Sequence, residues 1–135
     1  MCFYIIENHE EKKIAKFDIP CWKILKLEKV KWYRRLFKKP QLFSFYFDHI
    51  YELNKLYETK LGQKTPIYHN NGHKVCQKII NQGFHSFSSK DEEVYYLFDS
   101  NLVTIEGYIP KGAEYYENPI IQEYVSNKII LTKRL

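Results

Sequence analysis

Polar and apolar positions alternate with a period of two along several stretches of the chain. In residues 21–27, Cys21, Lys23, Leu25 and Leu27 fall on one side and Trp22, Ile24 and Lys26 on the other, the pattern of a strand with two distinct faces. Residues 2–7 (CFYIIE) are β-branched and aromatic, residues 8–12 are polar and turn-like, and residues 13–17 alternate again, so the start of the chain reads as an opening hairpin ended by Pro20. Residues 43–56 (FSFYFDHIYELNKL) predict one or two strands, with Asp48 and Asn54 as turn or bulge points, followed by a loop at 62–66. Residues 84–87, 102–109 and 128–133 read as further strands, the second stopped by Pro110, which cannot donate to a ladder.

Two segments of the second half carry a helical period instead. Val75, Cys76, Ile79 and Ile80 recur at helical spacing after a turn at Asn70-Asn71-Gly72, with Gly83 where a C-terminal cap belongs. Ser89 and Glu92 form a capping box, and Val94, Leu97 and Phe98 supply a buried face behind it. Residues 30–38 place Val30, Tyr33 and Phe37 on one helical face, a run too short to decide between helix and strand. The expected fold class is α+β: a single compact domain over residues 1–135, mostly antiparallel sheet, with two short helices in its second half.

A chain of 135 residues with 44% hydrophobic and 27% charged residues is long enough, and apolar enough, to build its own core. Twelve Tyr and nine Phe favour sheet over a helical bundle. Three cysteines, Cys2, Cys21 and Cys76, are odd in number and widely spaced, which argues against a disulfide framework and a zinc knuckle and for a reducing compartment. The start of the chain has no signal-peptide pattern and no apolar stretch is long enough to span a bilayer, so the expectation is a cytoplasmic protein without membrane contact. Neither a metal nor a cofactor is implied: His69 and His73 have helical spacing, but Asn-Asn-Gly separates them and no acid completes a site.

Charge singles out one segment. Residues 23–39 hold eight basic side chains against one acid, Glu28, within a chain of net charge +5, so the remainder is slightly acidic. Lys31, Arg34, Arg35 and Lys38 interleave with Trp32 and Tyr33, a mixture that suits the phosphates and bases of single-stranded nucleic acid. The plain alternative is a solvated strand and loop whose lysines protect an edge. A second group of candidates comes from the later strands. His85 and Ser86 sit in the Gly83–Phe87 strand, Lys111 and Tyr115 follow the strand end at Pro110, and Glu123 precedes the last strand. Each has a structural alternative: His85 as a half-buried histidine bonded to a carbonyl, and Lys111 and Tyr115 as a strand-end loop packed over a core edge. Cys76 reads as core, and no Walker loop or G-x-G-x-x-G occurs.

The strings GFHSFSS at 83–89, IPKGAEYY at 109–116 and EYVSNKIIL at 123–131, with DIPCWKIL at 18–25 and YELNKLY at 51–57, resemble a family of small uncharacterised proteins of gut-type bacteria and their phages. That resemblance covers most of the chain outside residues 29–41 and implies a real fold, with no activity attached. A weaker likeness is to ADP-ribosyltransferases, which often show a G-F-x-S-T-S strand, an I-P-x-G turn and a late glutamate. Gly83–Ser88, Ile109–Gly112 and Glu123 are similar to these, while Phe87 replaces the central threonine and no first-strand Arg-Gly or His-Gly-Thr is present. It implies an NAD-using enzyme in which Glu123 holds a ribose hydroxyl and Ser86 and His85 shape the nicotinamide pocket, an arrangement that requires Glu123 and Ser86 in one cleft.

With no complete catalytic constellation, the expectation is a non-catalytic binding or accessory protein, phage-associated by its resemblance. It would capture a small anionic ligand or a protein partner. ADP-ribosyl transfer and weak nucleic-acid binding stand as the alternatives.

Overall fold

The computed structural model describes residues 3–5, 11–28, 41–44, 49–68, 74–80, 82–90 and 102–135. Thirteen strands run through them. Those of the first half are β1 (Phe3–Ile5), β2 (Lys13–Ile14), β3 (Ile19–Leu27), β4 (Leu42–Phe43), β5 (Ile50–Tyr51), β6 (Leu56–Glu58) and β7 (Thr65–Tyr68). The second half adds β8 (Lys74–Ile80), β9 (Phe84–Phe87), β10 (Leu102–Ile109), β11 (Glu114–Asn118), β12 (Glu123–Ser126) and β13 (Lys128–Arg134). Ten of them form one sheet along the path β2-β11-β12-β9-β3-β10-β13-β6, with the β4–β5 hairpin attached to β3; β1, β8 and β7 form a second, three-stranded sheet.

Every described pairing is antiparallel and there is no helix among the described residues, so the expected α+β class is corrected to a β-rich fold. The segment expected as the first helix is β8, paired with β1 on one side and β7 on the other. Val75, Ile79 and Ile80 are β-branched, and two flanking strands satisfy the backbone of a seven-residue run that could not hold a helix alone. Gly83 is no helix cap. Its φ is +144°, and a Cβ there would lie 2.5 Å from Val125 Cγ2, so glycine serves a close approach between β9 and β12. The second expected helix falls in residues 91–100, outside the described residues. The expected opening hairpin is also replaced: β1 joins the small sheet and β2 joins β11 in the large one.

The large sheet curls back on itself, and the connection between β12 and β13 shows how. Only Asn127 separates these strands, yet β9, β3 and β10 lie between them along the sheet. Asn127 N–H donates to Glu114 O at 3.0 Å and its own carbonyl accepts from Thr59 N at 2.8 Å, so it ties β11 to the residue that follows β6. Cross-strand partners share a face of a sheet, which makes the inward face readable from register. Gly107 pairs with Cys21, Ile105 with Lys23 and Val103 with Leu25. Cys21, Leu25, Ile105, Ile109, Ile129 and Leu131 have no exposed surface and form the main core with Tyr51 and Tyr57. Each such aliphatic side chain contributes about 1.5–3 kcal/mol. A smaller cluster of Ile80, Tyr116 and Val125, with Leu61, lies on the other face.

Candidate functional site

β9 and β12 carry three of the expected ligand residues. Ser86 pairs with Tyr124, Val125 with His85 and Glu123 with Phe87. Trp22 pairs with Phe87, which puts Phe87 on the face of Trp22 and Ser86 on the opposite, inward face with Cys21. Glu123 therefore projects from the face opposite Ser86, and the shared cleft that an ADP-ribosyltransferase would need is not formed by this register. His85 is half-buried, and burial, with the Lys23 charge adding to it, pushes its imidazole down to about 3. Its backbone carbonyl accepts a hydrogen bond from Lys23 Nζ at 2.5 Å.

Tyr115 on β11 stacks edge-on against Tyr124 with ring centroids 5.8 Å apart, which joins it to the inward face that holds Ser86. Lys111 stands apart from these residues, exposed in the turn between β10 and β11, where its backbone N–H donates to Asp18 Oδ1 at 2.9 Å. Ser86 and Tyr115 thus belong to one face, Glu123 to the other, and Lys111 to a turn.

The expected polyanion contacts Lys31, Trp32, Tyr33, Arg34, Arg35 and Lys38, and the histidines His69 and His73, lie outside the described residues. Of the basic stretch, Lys26 is exposed, but Lys23 points inward between Cys21 and Leu25. Burial lowers its ammonium to about 8, while the neighbouring Cys21 thiol is pushed up to about 11 by the same desolvation. Lys23 is therefore not part of an exposed basic face. The alternation of β3 assigned it to the side of Cys21 and Leu25, but a lone lysine in such a pattern reads as solvated.

Sequence reasoning missed a groove on the described surface. A groove of about 760 Å3 opens around Asn127, lined by Lys12, residues 59–64, Gln82, Glu114 and Tyr116. It is assembled from segments far apart in sequence, held by Asn127 as described above and by Gly62 N–H donating to Gln82 O at 2.9 Å. Gln82 Nε2 donates to Thr59 Oγ1 at 3.3 Å, and Glu114 N–H to Asn127 Oδ1 at 2.9 Å. Three lysines, Lys12, Lys60 and Lys64, stand against one carboxylate, Glu114, which lies 3.4 Å from Lys12 Nζ. Lys64 Nζ sits 5.5 Å over the Tyr116 ring. The arrangement is a cationic concavity with amide and hydroxyl groups at its wall, suited to holding an anion. The one signal in the sequence was the pair of lysines flanking Gly62 in a loop.

Among the described residues no group of three or more His, Cys, Asp or Glu is placed to hold a metal, and no helix is long and apolar enough to cross a membrane. Comparison with protein-family models, with curated proteins and with solved structures finds no match to this chain.

Proposed function

We propose that this chain is a non-catalytic binding protein that captures a small anionic ligand in the groove around Asn127. One observation carries the reading: Lys12, Lys60 and Lys64 line a concave surface with a single carboxylate among the described residues, beside the polar side chains of Thr59, Gln63, Gln82 and Asn127. Lysine ammonium groups attract phosphates and carboxylates as point charges, and a concave wall focuses their field. The opposite-face placement of Ser86 and Glu123 favours binding over ADP-ribosyl transfer. The motif resemblance supports an accessory role in bacteria or their phages.

A thermal-shift series with pyrophosphate, nucleotides and inorganic polyphosphate at low salt tests the reading, because a ligand that binds only the folded state raises the melting temperature. An upward shift that disappears in the Lys60→Ser/Lys64→Ser double variant is the expected result. No shift with any of these anions removes the small-ligand reading and leaves capture of a protein partner.

A further inference from the structure

We propose that Lys23 is the reactive amine of an internal site that takes a small neutral aldehyde or ketone as a reversible Schiff base. The site is distinct from the lysine groove and does not depend on it. Lys23, itself half-buried, lies on the inward face of β3 between two side chains with no exposed surface, Cys21 and Leu25. Its Nζ is fixed by a neutral acceptor, the His85 carbonyl, and stands 5.7 Å from the centre of the Tyr51 ring. No carboxylate among the described residues pairs with it. An amine placed in this way is desolvated rather than neutralised, the setting in which lysine becomes a nucleophile near neutral pH.

The second observation is Ser86. It is 2% exposed, shares the inward face, and its hydroxyl has no oxygen or nitrogen partner within hydrogen-bonding reach among the described residues. It acts on the Cys21 thiol, two residues from Lys23 along β3. A thiol is a weak hydrogen-bond partner, and a carbonyl oxygen on a ligand held by Lys23 would give the Ser86 hydroxyl a stronger one. The Nζ lone pair attacks the carbonyl carbon, and one nitrogen proton moves to the oxygen to give a carbinolamine. The C–O bond then breaks, water leaves with the second nitrogen proton, and the neutral imine remains. Ser86 O–H donates to the departing oxygen, and hydrolysis reverses the sequence. The apolar surroundings, with a neutral thiol and the Tyr51 ring, select a small uncharged carbonyl compound.

The test is reductive trapping of the folded wild-type protein with acetaldehyde and cyanoborohydride, read by peptide mass spectrometry. Lys23 is expected to be modified at least about tenfold faster at pH 7.5 than Lys60 or Lys64, because an amine lowered to about 8 has a substantial neutral fraction at that pH. Its rate should level off above pH 8 or so. Lys23→Met should remove this labelled peptide and leave surface labelling unchanged, and Ser86→Ala should slow labelling at Lys23 alone. Labelling of Lys23 no faster than that of Lys60 and Lys64, or an unchanged Lys23 rate in Ser86→Ala, overturns the proposal.

Discussion

Asn127 and Glu114 hold each other through two hydrogen bonds: Glu114 N–H donates to Asn127 Oδ1 at 2.9 Å, and Asn127 N–H donates to Glu114 O at 3.0 Å. The pair clamps β11 against the single residue that joins β12 to β13. Closure of the curled sheet and the floor of the groove therefore rest on the same residue. Asn127→Ala removes the acceptor and leaves the Glu114 amide without it. The expected cost is about 1–3 kcal/mol, read as a lower urea midpoint with an unchanged slope. A midpoint equal to wild type would show that the clamp contributes nothing to closure.

Lys23 gives the fold a pH dependence of unusual sign. A group that binds its proton less tightly folded than unfolded holds stability back below its folded value and returns it as pH rises. Because Lys23 is lowered from 10.5 to about 8, stability should increase as pH rises above 8. Cys21 opposes this from pH 9 upward, since its neutral thiol is favoured by the fold and the unfolded chain ionises first. The net gain is thus expected between pH 8 and 9. Lys23→Met should stabilise the fold at pH 7 by up to about 3 kcal/mol, read as a higher melting temperature, and abolish the rise between pH 8 and 9. A variant less stable than wild type at pH 7 would contradict this reading.

His85 acts in acid. Its imidazole is neutral in the fold down to about pH 3 but titrates near 6.5 in the unfolded chain. Its contribution is therefore complete above pH 6.5 and is lost progressively as pH falls from 6.5 towards 3. Denaturant midpoints taken between pH 7 and 4 should fall in wild type and fall less in His85→Phe. Parallel curves for the two proteins would remove His85 from the acid response.

Gly107 sits where the register of β10 against β13 shifts by one residue. A Cβ at this position would collide with Ile130 O and lie 3.0 Å from Leu131 Cα, both on the backbone path of β13, which cannot yield cheaply. Gly107→Ala is expected to destabilise by about 2–4 kcal/mol through strain at the bulge. Thermal unfolding within a degree or two of wild type would show that β13 accommodates the methyl group.

Much of the main core was legible in the sequence. The segments read as strands at 21–27, 84–87, 102–109 and 128–133 correspond to β3, β9, β10 and β13, and the alternation of residues 21–27 correctly separated Cys21 and Leu25 from Trp22. Asn54, with φ of +60°, turns the chain between β5 and β6 as expected. Residues 114–126 were not read as β11 and β12, because Glu, Tyr and Asn dilute the apolar signal and Pro110 and Pro119 bracket β11 like a loop. The turn between them is built locally, with Asn118 Oδ1 accepting from Ile120 N at 3.1 Å and from Ile121 N at 3.4 Å. Val75, Ile79 and Ile80 were misread because a short apolar run fits both periods and only its partners β1 and β7 decide. Beyond the lysines that flank Gly62, the groove left no local pattern, since Lys12, Lys60, Lys64 and Glu114 meet only after the sheet curls.

Binding of an anion by that groove is most directly tested by calorimetric titration of pyrophosphate into wild type and into Lys60→Ser/Lys64→Ser, each at low and at roughly tenfold higher ionic strength. Screening shortens the reach of exposed lysines steeply over such a range. The expected result is single-site binding to wild type that weakens with salt and is lost in the double variant, with both proteins melting alike in the absence of ligand. Binding of equal strength in the double variant, or no binding to wild type at low salt, would contradict a role for Lys60 and Lys64 in anion capture.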